Sequence, residues 1–100
     1  MKAIWHDTVV AEAPQKDLIY IEGNWYFPPA SVNKKLLQES PTPYTCPWKG
    51  VCQYYNVTDG KETSNDVAWS YPKPLKTAIT TVGKDFSGYI AFWKDVKVSE

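Results

Sequence analysis

From Thr45 to Val57 the chain reads TCPWKGVCQYYNV, a stretch that holds both cysteines, a lysine, a tryptophan and two tyrosines. Residues of these types support three chemistries. Thiolates bind zinc, but Cys46 and Cys52 are separated by five intervening residues and His6 is the single histidine. That leaves at most three ligands without the paired spacing of a tetrahedral site, so no metal is expected. A disulfide needs Cα atoms roughly 4.4 to 6.8 Å apart. Six residues of continuous strand span about 20 Å, so a bridge requires the Pro47-Trp48 region to fold back tightly, and two free thiols are expected. The third chemistry is nucleophilic. Cys46 precedes a proline at a loop-to-strand junction with Lys49 close by, and a neighbouring cation lowers a thiol's pKa. His6 is the one imidazole that could serve as its base, although no spacing requires that pairing. Against these stands the ordinary role of an unpaired cysteine, a small buried apolar residue, which suits Cys52 best.

The elements that must position this stretch are short strands. Prolines and glycines recur at close intervals, and the segments between them alternate or are rich in β-branched and aromatic residues. The pattern predicts strands at Ala3–Trp5, Thr8–Ala13, Leu18–Ile21, Trp25–Phe27, Lys49–Thr58, Thr63–Tyr71, Gly88–Lys94 and Val96–Ser99. Glu22-Gly23-Asn24 and Asp59-Gly60 read as hairpin turns, because Gly, Asn and Asp tolerate positive φ. One helix is expected over Ser31–Gln38, capped by Ser31 and ended by Pro41, with Val32 and Leu36 on one face. Ser40–Thr45 and Pro72–Phe86 read as loops. If Asp59-Gly60 is a two-residue turn, paired positions sum to 119, so Tyr54 faces Asn65, Cys52 faces Val67, Gly50 faces Trp69 and Trp48 faces Tyr71. The inward face then carries Trp48, Cys52, Tyr54, Val67, Trp69 and Tyr71, and Lys49 lies on the more polar face. Gly50 would leave room for the Trp69 indole.

Composition bounds the function. The 100 residues suit a single domain spanning 1–100, and their 15% aromatic content must supply much of the burial. Eleven basic residues balance eleven acidic ones, so no net field draws a nucleic acid or an anionic membrane. The first residues lack the apolar stretch of a signal peptide, and no run approaches the roughly 20 apolar residues of a membrane span. A cytoplasmic location is therefore expected, and the Asn56-Val57-Thr58 acceptor motif is expected to stay unmodified.

Five segments, WHDTVVAEA, EGNWYFPPASVN, TCPWKGVCQYYNV, DVAWSYPKP and GYIAFWKDVKV, together resemble a widespread bacterial family known only as a domain of unknown function. Its signature matches in order at Tyr26–Pro28, Cys46–Gly50, Ala68–Tyr71 and Phe92–Lys94. The resemblance implies a mainly β fold, small antiparallel sheets in a tent-like arrangement with one short helix. That arrangement is similar to certain zinc-containing guanine-nucleotide exchange accessory proteins, whose four-cysteine site this chain lacks. Cys52 stands where the family tends to carry Ala, which fits a packing role, and Ser70 stands where an aromatic is common. A nucleotidyltransferase-like label is sometimes attached to the family. The chain has neither a glycine-rich phosphate loop nor a close carboxylate pair for magnesium, and the resemblance supplies no catalytic residue.

The leading expectation is a small-molecule-binding domain for a planar or anionic ligand, with Glu22, Tyr26, Cys46, Trp48, Lys49, Trp69 and Tyr71 around the pocket and no cofactor. Aromatic walls with a few charges at strand ends carry this reading; the competing one makes the same rings ordinary core. The alternatives are an interaction module docking through exposed Trp5, Trp25 or Trp93, and a nucleotidyltransferase-like or cysteine-dependent enzyme built on Cys46 or Lys49.

Overall fold

Short apolar runs with β-branched residues, KAIW and TVVAE, make the first antiparallel pair, β1 (Lys2–Trp5) and β2 (Thr8–Glu12), in the computed structural model, which describes residues 1–100. His6 and Asp7 turn the chain with φ of 46° and 65°, and Trp5 pairs with Thr8. β9 (Val96–Ser99) adds to the other side of β1, giving a sheet of order β2-β1-β9. β3 (Ile19–Ile21) and β4 (Asn24–Tyr26) form a separate hairpin. Its turn, Glu22-Gly23, has φ of 52° and 84°, the doubly positive geometry of a two-residue primed turn, as the sequence leads one to expect.

The largest sheet has the order β5-β6-β7-β8, built from Leu37–Cys46, Gly50–Thr58, Thr63–Ser70 and Ile90–Phe92. Phe27 and Ile90 exchange backbone hydrogen bonds of 2.8 and 2.9 Å, which tie the β3–β4 hairpin to its β8 edge. Both faces of this sheet are covered, and period-2 alternation sorts the side chains between them. Val57, Ala68, Ile90 and Phe92 join Trp5, Val10 and Phe27 in one apolar cluster. Cys52, Trp69 and Ala91 turn the other way, into a second cluster with Ile21, Tyr26, Tyr71 and Phe86. A short helix, α1 (Lys76–Val82), supplies Ala78 to that second cluster and ends at Gly83, whose left-handed φ of 86° terminates it. The molecule is thus mainly β, three small antiparallel sheets with one short helix, and no helix is long and apolar enough to cross a membrane.

Several local expectations are corrected. The helix expected over Ser31–Gln38 is two 3-10 turns, Pro29–Ser31 and Lys34–Leu36, after which the chain enters β5. The true helix lies within the stretch read as the Pro72–Phe86 loop. Ser40–Thr45 is strand, because β5 is an edge strand whose ladder slips between Glu39 and Pro43, where prolines are tolerated. The Asp59-Gly60 connection spans four residues: Thr58 pairs with Thr63, and the Asp59 carboxylate accepts from the amides of Lys61 and Glu62, both at 2.8 Å. A further irregularity beyond Val57 places Tyr54 opposite Trp69 rather than Asn65. Trp5, expected to be exposed, is 1% exposed, and its indole N–H donates to Ser64 Oγ at 3.0 Å.

Gly50 faces Cys46, not Trp69, and its φ is +114°, outside the range open to side-chain-bearing residues. A Cβ there would meet the Lys73 carbonyl at 3.5 Å and Leu75 at 3.6 Å, ordinary contact distances. The backbone, not crowding, therefore demands glycine. Gly50→Ala is expected to lower stability by about 1–3 kcal/mol, measured by urea denaturation; a neutral substitution would show that the β5–β6 turn relaxes freely.

Candidate functional site

Two turns bring the chemistry together. The β5–β6 connection, Pro47-Trp48-Lys49, folds back tightly, and the Lys49 carbonyl accepts from the Leu75 amide at 3.0 Å. This anchors the lysine with its side chain only 7% exposed, not on a solvated polar face as its register suggested. The Glu22 carboxylate reaches it from the β3–β4 turn and forms an ion pair with its ammonium. Lys49 Nζ also lies 4.9 Å from the Trp48 ring centroid and 5.2 Å from that of Tyr71, both within cation–π range.

Beside this ammonium opens a cavity of about 230 Å³, lined by Asn24, Tyr26, Tyr44, Lys49, Tyr54, Trp69, Tyr71 and Trp93. Its rings pack on one another at varied angles. Tyr26 meets Trp69 edge-on at 6.1 Å, Trp69 meets Trp93 at 5.1 Å, and Tyr54 lies nearly parallel to Trp93 with centroids 6.5 Å apart. Trp69 Nε1 donates to the Tyr26 hydroxyl at 3.0 Å, and Trp93 Nε1 donates to the Asp66 carbonyl at 2.6 Å. Of the residues expected at a pocket, Tyr26, Lys49, Trp69 and Tyr71 line this cavity and Glu22 reaches it through Lys49. Trp48 packs against the ammonium outside the lining set, and Cys46 lies in the buried apolar cluster with Tyr26, Cys52 and Tyr71.

Four wall residues were not anticipated as pocket. Tyr54 was placed inward but only as core, and Trp93 was read as a docking surface. Tyr44 and Asn24 carried no usable signal, since Tyr44 falls in the segment read as loop and Asn24 in a turn. A larger, shallower depression of about 440 Å³ involves Lys16, Asp17, Lys84 and Asp85. All four are exposed side chains of balanced charge, so the smaller cavity with its buried cation is the better candidate.

Burial sets the protonation of the walls. It pushes Tyr26 up to about 12, despite the hydrogen bond from Trp69, and it raises Tyr54 and Tyr71 as well. It pushes the Cys52 thiol up to about 11, against the opposing pull of Lys49 and Tyr71. At neutral pH these groups are uncharged hydrogen-bonding partners, and Cys52 is no thiolate nucleophile. Both cysteines are free and buried. The tight fold-back that a bridge would need does exist, with Cys46 opposite Gly50 and Cys52 opposite Tyr44. His6 Nδ1 lies 2.9 Å from the Glu62 carboxylate and its ring stacks on Trp5, so it is engaged away from either cysteine. No three His, Cys, Asp or Glu side chains gather into a group that could hold a metal ion.

These shifts have one sign. Between the ordinary thiol value of 9.0 and about 11 the folded chain retains a proton on Cys52 that the unfolded chain has released. The buried tyrosines do the same from 10.0 upward. Stability is therefore fully present below pH 9 and is lost as pH rises through 9 to 12. Urea midpoints should hold between pH 7 and 8.5 and fall steeply above pH 9.5. A flat profile to pH 11 would show that these groups are hydrated in the fold.

No curated protein matches this chain. A family profile does match, and its short name carries a nucleotidyltransferase label. Because that profile covers residues 1–100, the chain belongs to the family described as Domain of unknown function (DUF427).

Proposed function

We propose that this chain is a small-molecule-binding domain whose ligand is planar and anionic, held in the aromatic cavity beside the Cys-Pro-Trp-Lys-Gly segment. One observation carries the reading: a nearly buried ammonium borders a cavity whose other walls are six aromatic rings and an amide. An ammonium withdrawn from water attracts an anion more strongly than an exposed one, and rings that offer both faces and edges suit a flat partner. Glu22, Tyr26, Lys49, Trp69 and Tyr71 are the residues assigned to binding, with Trp48 and Cys46 supporting them from behind.

Size argues against a nucleotidyltransferase reaction at this place. The cavity lies below the roughly 300 to 1,000 Å³ of pockets that enclose drug-sized ligands, and a triphosphate with its metal exceeds it. Docking through Trp5 or Trp25 also has less support, since Trp5 is buried and Trp25 half-buried; Trp93, 40% exposed, forms part of the cavity wall.

Chemical-shift perturbation with assigned backbone amides tests the reading, using single-ring acids, nucleotides and phosphate esters. Shifts should cluster at Asn24, Lys49, Trp69 and Trp93, and should vanish in the Lys49→Ala, Trp48→Ala double variant. Binding that clusters elsewhere, or that survives in a folded double variant, reduces the aromatic group to core.

A further inference from the structure

We infer that the ligand is a single-ring monocarboxylate and that Glu22 is its internal competitor, a carboxylate that occupies Lys49 in the free chain and is displaced on binding. This rests on the binding reading above and narrows it. Charge counting carries the first half. Lys49 is the one charged side chain lining the cavity, and the sequence contains no arginine. A phosphate monoester carries about −1.5 to −2 charge at pH 7 and is best met by a bidentate guanidinium or several donors. Here one ammonium stands among phenols, which carry no charge at pH 7, so a second negative charge would go uncompensated. Lys94 sits 4.7 Å from the Trp93 ring centroid, but it is exposed and does not line the cavity. A carboxylate balances the site with charge one against one.

Glu22 carries the second half, because the group already docked on Lys49 is itself a carboxylate. Its side chain is 56% exposed and makes no other hydrogen bond or ion pair. It springs from a two-residue turn, so releasing it into water breaks one contact and requires no rearrangement of the strands. The ammonium, at 7% exposure, stays behind to receive the replacement. A volume of about 230 Å³ then limits the planar portion to roughly one ring.

Benzoate, benzamide and phenyl phosphate, titrated calorimetrically into the wild-type protein, Glu22→Gln and Lys49→Met, provide the test. Removing the competing charge while keeping the side-chain shape should tighten benzoate about tenfold in Glu22→Gln. Uncharged benzamide should bind both proteins alike, phenyl phosphate should bind each more weakly than benzoate, and Lys49→Met should lose the preference for the acid. If Lys49→Met does not fold, the Glu22→Gln comparison decides alone. Benzoate binding that is unchanged or weaker in Glu22→Gln overturns the competitor role, and preference for phenyl phosphate overturns the ligand class; both leave the binding reading intact. Failure of all three probes to bind the wild type and Glu22→Gln overturns the inference and the binding reading together.

Discussion

Trp69→Ala should lower the stability of the fold by about 3–5 kcal/mol, the range for deleting a large buried aromatic, seen as a lower urea midpoint at unchanged slope. Trp69 is only 8% exposed although it lines a cavity, because its ring is wedged between Tyr26 and Trp93. Its removal deletes apolar area and leaves the Tyr26 hydroxyl, in a side chain 1% exposed, without the donor it accepts from. Each loss is destabilising by itself, and the second adds the penalty of an unpartnered buried polar group. Trp69→Phe keeps most of the area but not the donor, and should fall between the two. A loss below about 1 kcal/mol for the alanine variant would mean that the indole is a wall against water and that the second apolar cluster does not depend on it.

Why Trp69 and Tyr54 were assigned to one face correctly, despite a misplaced turn, is a matter of parity. The turn after Thr58 holds four residues rather than two, which moves paired positions from a sum of 119 to 121, and the irregularity past Val57 moves them to 123. Both slips are even, and side chains alternate with period 2, so Cys52, Tyr54 and Trp69 keep their face while changing partners; Val67, expected beside them, falls in the irregularity of the ladder and packs in the opposite cluster with Val57 and Ala68. What parity cannot reveal is that the opposite face is also covered. Val57 and Ala68 lie there, fully buried under the three-stranded sheet, although their neighbours Gln53 and Ser64 make that face read as polar. The helix was misplaced for a different reason. Val32 and Leu36 give a helical spacing, but so short a segment gains little from it, and β5 claims the residues that follow. At Lys76–Val82 the threonines and nearby prolines masked a helix whose one clear signal was Gly83 after its last turn.

Part of the candidate site was legible in its residue types, and its ion pair was not. Trp69 and Tyr71 can be read onto one side from the alternation of Ala68–Tyr71, whereas Trp48 and Lys49 lie in the turn between β5 and β6, where alternation does not apply. The pairing of Glu22 with Lys49 joins two turns 27 residues apart and depends on how one hairpin is tied to the β8 edge through Phe27. No local pattern encodes that tie. Lys49 was accordingly expected on a solvated face, where its replacement by alanine would be nearly neutral, and its burial overturns that expectation.

The same burial predicts an asymmetry between the two partners. Glu22→Ala removes the more exposed member and strands an ammonium that is 7% exposed, with only the Trp48 and Tyr71 rings to stabilise it. Breaking a fully buried pair in this way is destabilising by about 3–5 kcal/mol. Glu22 is more than half exposed and Lys49 borders a cavity that water can enter, so the loss here should be nearer to about 1–3 kcal/mol. Lys49→Met removes the buried member instead. The thioether follows the path of the lysine stem against the same rings, and Glu22, more than half exposed, returns to water. Replacing a buried charge by an apolar side chain of similar volume is often neutral, so this variant should remain within about 1 kcal/mol of the parent. Urea denaturation of both variants at pH 7 makes the comparison, and the order matters more than the values. If Lys49→Met proved the more damaging, the ammonium would be holding the two turns together through the ion pair, and Glu22 could not be released cheaply to admit another carboxylate.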